Sequence, residues 1–304
     1  MDVHLVIDEA LVAYYKSGKR QPIHSPRMSY PGYVRASSLG GCPLAGARQK
    51  LGFAPDLPDL LPGGTVQSII TLQAGEYAAM LYQEALLHCS TVTEGISVEV
   101  EVDLSDHQRK VSGRADAVVN GAIIELKYTF EGKGVEPGEP RESHAWQLMT
   151  YARARYGKLD VMPEMYLVTI GKYAYKVYEL RPDGEGYAFY DTTEDAPLDQ
   201  GFGGWNLPAN LNYDRLDETI DNAHEYMRWV KGYNTQMVSP IENPLTDPQG
   251  WLCLKSTKDY KKNTGTVTPN CAWALSCHGI RKESAISRNG SGSEWQLTAM
   301  KEQW

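Results

Sequence analysis

The strongest local constraint in the chain is the Asn-Gly pair at 120–121, set between two runs rich in β-branched and small apolar residues, "SGRADAVV" and "AIIELKYTF". A two-residue Asn-Gly connection is the signature of a tight hairpin. Residues around 110–119 and 122–129 are therefore read as two strands joined by this turn. Such runs have no need of charge, yet they carry Asp116, Glu125 and Lys127. Side chains alternate along a strand, so Glu125 and Lys127 share a face with Ile123, while Ile124 and Leu126 point the other way. Asp116 stands nine residues before Glu125, across the turn, so the two carboxylates can approach one another. Neighbouring carboxylates repel and are costly to bury. A divalent cation relieves both problems, and Mg²⁺ takes one or two carboxylates with water and phosphate oxygens. A nearby lysine can orient or polarise an attacking water and offset developing negative charge. The plainer alternative is a surface salt bridge of Lys127 with Glu125 or Asp116.

The surrounding pattern predicts a helix from Val66 to Leu87, with Val66, Ile70, Tyr77 and Leu81 at helical spacing. "GISVEVEVDL" at 95–104 alternates strictly, with Ile96, Val98, Val100 and Val102 opposite Ser97, Glu99, Glu101 and Asp103, as in a half-buried strand. A helix near 141–156 follows the Asn-Gly hairpin. Then comes a second hairpin, "EMYLVTIGKYAYKVYEL", turning at Gly171–Lys172. A Gly- and Asp-rich segment covers 182–210, and 216–233 reads as a helix with acids in its first turn. "PDLPDLLPGG" at 55–64 reads as a loop and "SRNGSGSEWQ" as a flexible tail. The order of helix, three strands, helix and two strands predicts an α/β core with a mixed sheet flanked by helices.

In the helix near 141–156, "HAWQLMTYARA" sets Gln147 and Tyr151 four apart on one face. Together, Gly113-Arg114-Ala115-Asp116, Glu125-Leu126-Lys127 and Gln147-x-x-x-Tyr151 resemble the RecB-like branch of the PD-(D/E)XK nucleases. The resemblance covers about Leu72 to Leu180 and implies a restriction-endonuclease-like core. It implies that Asp116, Glu125 and the backbone carbonyl of Leu126 hold Mg²⁺ or Mn²⁺. Lys127 would position the nucleophilic water, and Gln147 and Tyr151 would contact the DNA phosphate and support the site. The family places a His or Glu on the preceding helix four residues after a Gly; here Gly75 is followed at that distance by Ala79. Glu76, one turn earlier, is the first candidate for the missing acid, and Glu84 is the other.

Five cysteines do not suggest a disulfide framework. Cys42, before the core, and Cys253, Cys271 and Cys277, after it, are similar in layout to the iron–sulfur subset of this family. That subset includes CRISPR-associated exonucleases, AddB and phage recombination nucleases. The resemblance implies a [4Fe–4S] cluster joining the N- and C-terminal segments, and Zn²⁺ is the competing occupant of such a four-cysteine site. The family's short spacing is replaced between Cys253 and Cys271 by "LKSTKDYKKNTGTVTPN". Cys89 is expected in the core. The net charge of −8 argues against a protein that merely coats nucleic acid. Yet Lys16–Lys50 holds seven Lys or Arg and no acid, and Trp251–Lys282 holds six and one acid. Joining the two ends would set a basic surface beside an acidic site.

The expected organisation is an N-terminal segment (1–65), a nuclease core (66–235), a cysteine-rich segment (236–285) and a tail (286–304). The expected function is a metal-dependent DNA nuclease, acting as an exonuclease on DNA ends or single strands. In-line attack would expel the 3′ oxygen and leave 5′-phosphate and 3′-hydroxyl ends. The alternatives are a non-catalytic DNA-end-binding module and a cysteine-cluster adaptor. The resemblance implies DNA as partner and a recombination or CRISPR-adaptation protein as a second one. No membrane span is expected, and the setting would be the cytoplasm of a bacterial, archaeal or phage-infected cell.

Overall fold

The computed structural model describes Val3, Val6, Ile7 and residues 30–40, 43–52, 54–55, 66–128, 130–131, 136–157, 163–198, 211–232, 254–259, 264–269, 285–287 and 295–297. The chain divides into two compact units, one from residues 1–40 and 74–220, the other from 41–73 and 221–304. Cys42, Cys253, Cys271 and Cys277 lie outside the described residues, as does most of the 55–64 loop.

The first unit is built on a seven-stranded mixed sheet. In chain order the strands and helices that matter are β1 (Val34–Arg35), α1 (Pro43–Lys50, in the second unit), α2 (Val66–Val92), β2 (Val98–Asp103), β3 (Val111–Ser112), β4 (Arg114–Val119) and β5 (Ala122–Tyr128). There follow β6 (Phe130–Glu131), β7 (Glu136–Pro137), α3 (Glu142–Tyr156), β8 (Met165–Ile170), β9 (Tyr175–Asp183), β10 (Gly186–Asp191), β11 (Ala196–Pro197) and α4 (Tyr213–Gly232). The sheet order is β11-β10-β9-β8-β5-β4-β2. Only β5 and β8 run parallel; the other neighbours are antiparallel. A parallel pair needs a long crossover, and α3 supplies it. The Asn-Gly turn forms as expected, with φ of 49° at Asn120 and 88° at Gly121.

The sheet is covered on both faces. On one, Ala117, Val119, Ile124, Leu126 and Val168 pack with Tyr82, Ala85, Leu86 and Cys89 of α2. The stripe α2 buries is thus not the one that its large apolar residues suggest. Tyr77 is 71% exposed and Leu81 also faces out. Small residues at 78, 79 and 85 let the helix approach the sheet instead. Cys89 is buried in this core. The other face carries α3, in which every residue from His144 to Ala152 is buried. Burying both its apolar and its polar side chains requires partners all round it. Ala36, Leu39 and Gly40 help to enclose it: a Cβ on Gly40 would lie 3.0 Å from the Trp146 ring.

Two features differ from the sequence expectation. The strand expected over 110–119 is broken at Gly113: β3 pairs in parallel with β1, and β4 begins at Arg114. The segment from 182 contains β10, hairpinned to β9 through Gly184 at φ 58°. Its signal is Asp183-Gly184 between two Tyr-containing runs, masked by the Gly and Asp content of the rest of the segment.

In the second unit, β12 (Leu254–Asp259) and β13 (Thr264–Pro269) form an antiparallel pair with Leu254 opposite Pro269. β14 (Ala285–Ser287) pairs with β15 (Trp295–Leu297). No helix among the described residues is long and apolar enough to cross a membrane.

Trp146 is wholly enclosed and donates its indole N–H to Glu142 Oε1 at 2.9 Å. Replacing it by Ala should lower stability by about 3–5 kcal/mol, read from a urea unfolding curve.

Candidate active site

The β4–β5 ladder runs from Val119↔Ala122 to Ala117↔Ile124. One step further, Asp116 stands opposite Glu125, and Asp116 Oδ2 accepts the Leu126 backbone N–H at 2.7 Å. The hairpin that aligns hydrophobic residues in register therefore also sets two carboxylates face to face. Glu125 is 3% exposed. Its Oε1 accepts hydrogen bonds from Lys127 Nζ and from Gln147 Nε2, the latter at 2.8 Å. Its Oε2 is buried and has no hydrogen-bond partner among the described residues.

Gln147 also donates to the Tyr151 hydroxyl at 2.6 Å, so both amide hydrogens are committed. Tyr151 comes this close to the strands because of Gly113. A Cβ there would lie 2.3 Å from Tyr151 Cε1 and 3.0 Å from Cδ1. Thus Asp116, Glu125, Lys127, Gln147 and Tyr151, named from the sequence, come together. Leu126 has its side chain in the opposite core and its backbone amide on Asp116.

Glu76 is solvent-exposed and Glu84 partly so. The α2 residue that reaches the carboxylate strands is Gln83, which donates to the Asp116 backbone carbonyl at 3.0 Å and to Glu101 Oε1 at 2.8 Å. In the sequence Glu101 is one of several acids on the polar face of β2. Its neighbours pair as Val100↔Ala117 and Val102↔Ala115, which sets it opposite Asp116. It has a φ of 54°, unusual for a non-glycine residue within a strand, and its Oε2 meets Arg114 Nη2 at 2.7 Å. Strict alternation in the sequence conceals this local twist. Among the described residues no group of three or more His, Cys, Asp or Glu forms a preformed metal cage.

Electrostatics follow from burial. Desolvation, and then the charge of Glu125, push Asp116 up to about 8. Burial likewise raises Glu125, against the opposing pull of Lys127 and Gln147. Burial opposes the charge on Lys127, but Glu125 and Asp116 outweigh it and raise its pKa, so it remains an ammonium. His144, buried and facing Lys127 and Arg141, is lowered to about 3 and stays neutral. Burial and Glu125 hold the Tyr151 hydroxyl well above its usual range, so it too is neutral.

A carboxyl whose folded pKa is raised favours the protonated fold. Its stabilising contribution is complete below the unfolded value of 3.8 and is lost as pH rises through about 8. In chelator, wild-type protein should therefore lose stability between pH 4 and pH 8 relative to Asp116→Asn, as read from thermal melts of both proteins across that range. Added Mg²⁺ should raise the wild-type melting temperature more at pH 8 than at pH 5 and leave the variant unchanged.

Compared with protein-family models, curated proteins and solved structures, the chain matches none.

Proposed function

We propose that the protein is a metal-dependent DNA nuclease, acting as an exonuclease on DNA ends or single strands. The observation that carries this reading is the opposed pair Asp116–Glu125, with the orphaned Oε2 of Glu125 beside a cationic Lys127. Two opposed carboxylates with raised pKa values, Glu125 buried and Asp116 partly so, are what a divalent cation relieves, and all-oxygen donors suit Mg²⁺ or Mn²⁺. Asp116, Glu125 and the carbonyl of Leu126 would hold it. When bound, it would polarise the phosphoryl oxygen and acidify water.

The chain's own residues account for the rest. Lys127 is kept protonated by its carboxylate neighbours, so it acts as a donor rather than a general base. It orients the attacking water and offsets charge growing on the phosphoryl oxygens. Gln147 fixes the Glu125 carboxylate from α3, and Tyr151, anchored beside Gly113, fixes Gln147. Water attacks phosphorus in line and the 3′ oxygen departs.

One observation favours a second reading, a DNA-end-binding module without catalysis: the α2 side chain reaching the pair is an amide, Gln83, while Glu76 is exposed. Labelled linear and circular DNA, single- and double-stranded, incubated with Mg²⁺, Mn²⁺ or chelator, separates the two. Cleavage of linear DNA with either metal, at least about 10²-fold slower in Lys127→Ala and Asp116→Asn, is expected. DNA binding with no cleavage would establish the module instead.

A [4Fe–4S] cluster on Cys42, Cys253, Cys271 and Cys277, with Zn²⁺ as the alternative, belongs to the same proposal. The long spacing between Cys253 and Cys271 is bridged by the β12–β13 pair, whose first and last residues, Leu254 and Pro269, are register partners. An insertion of that form returns the chain to where it left. The ranges 41–73 and 221–304, which hold all four cysteines in the sequence, belong to one compact unit. Elemental analysis of anaerobically purified protein should find iron, or one zinc per chain, lost in Cys42→Ser and retained in Cys89→Ser. Metal retained in Cys42→Ser would remove that residue from the site.

A further inference from the structure

We infer that Thr169 is a positioning residue for Lys127: its hydroxyl is a second seat for the Lys127 ammonium, taken up when Glu125 gives its carboxylate to a cation. The inference rests on the metal-dependent reading of the Asp116–Glu125 pair.

Thr169 lies in β8 at the centre of the sheet, is wholly buried, and its Oγ1 has no hydrogen-bond partner among the described residues. A buried hydroxyl without a partner is destabilising, and valine would satisfy the same strand position without that cost. Its direction is fixed by alternation. Val168 and Ile170 belong to the core under α2, so Thr169 projects to the other face, the one that carries Glu125 and Lys127. Its register partner on β5 is Lys127 itself. Adjacent strands lie about 4.8 Å apart, so the two side chains stand next to one another. The partner on its other side, Lys176, is half-exposed and faces Asp191 at 3.8 Å.

Lys127 currently places its ammonium on Glu125 Oε1. That bond competes with any cation for the same carboxylate, and a bound cation would repel the ammonium. An ammonium has three hydrogens to place, and a half-buried one needs acceptors near at hand. Thr169 Oγ1, on the register partner of Lys127, is an acceptor with no other claim on it among the described residues. Moving there keeps Lys127 beside the pair, where it can face the attacking water, while releasing Glu125.

The test is Mn²⁺ binding by calorimetry, with no DNA present, on wild type, Asp116→Asn, Thr169→Val, Thr169→Ala, Thr169→Ser, Lys127→Met and the Lys127→Met/Thr169→Val double variant. Loss of a hydrogen bond to a charged group predicts about ten- to hundredfold weaker Mn²⁺ binding in Thr169→Val and Thr169→Ala. Thr169→Ser should bind as wild type does. In the Lys127→Met background, Thr169→Val should have no further effect. In chelator, Thr169→Val should melt at or above the wild-type temperature. Equal Mn²⁺ affinity in Thr169→Val and wild type, or the same loss in both backgrounds, would overturn the inference while leaving the metal site standing. Equal binding by wild type and Asp116→Asn would instead overturn the metal-dependent reading, and this inference with it.

Discussion

Two carboxylates pressed together at the end of an apolar hairpin are the constraint around which the first unit is arranged. Neither Asp116 nor Glu125 ionises easily there: burial raises both, with the charge of Glu125 adding to it at Asp116 and that of Glu101 at Glu125. The neighbours supply what water would have supplied. Leu126 gives a backbone amide to Asp116, while Lys127 and Gln147 both give hydrogens to Glu125 Oε1. One oxygen, Glu125 Oε2, is left without a partner among the described residues. Structural ion pairs are usually satisfied more completely than this, since a buried acceptor without a donor is expensive.

The support behind the pair depends on one close approach. Tyr151 sits against Gly113, where no side chain fits, and from there it braces Gln147. Gly113 also ends the run of β3 and lets the chain turn from its pairing with β1 to its place in the main sheet. The same residue therefore separates two ladders and admits the ring. Behind α3, Arg153 bonds both Asp106 and Asp217, tying the 104–113 loop and the start of α4 to the site helix. Arg109 adds a second bond to Asp217. Paired in this way, partly buried charges hold geometry more than they add net stability.

The two faces of the sheet divide the labour. Under α2 the core is apolar, and from that helix Gln83 adds hydrogen bonds to the Asp116 carbonyl and to Glu101. Glu101 is in turn neutralised by Arg114. The polar face carries Glu125, Lys127, Thr169 and Lys176 on successive strands, with α3 closing over the acidic end. The carboxylates thus stand where the β4–β5 ladder gives way to side-chain bonds.

How much was legible in the sequence depends on whether a feature is local. The Asn-Gly turn and the alternation of β5 follow from short-range geometry, so Asp116, Glu125 and Lys127 were legible as neighbours; Gln147 and Tyr151, an ordinary i, i+4 pair by themselves, were singled out by the resemblance of the whole pattern to a nuclease family. Features decided by packing were not. Which stripe of α2 is buried is decided by its packing on the sheet, where Tyr82, Ala85, Leu86 and Cys89 face inward while Tyr77, Glu76 and Leu81 are exposed and Gln83 makes the hydrogen bonds. Glu101 reads as an ordinary polar-face acid until a positive φ and the β2–β4 register bring it opposite Asp116. Thr169 reads as a strand residue like any other until the parallel pairing of β5 with β8 places it beside Lys127. By itself the sequence determined most of the strands, the turn and which charged and polar side chains stand on them, because those follow from backbone propensity and side-chain type within a few positions. Only the tertiary structure decided which of the charged and polar groups meet, because that depends on strand register and helix approach between segments far apart in the chain.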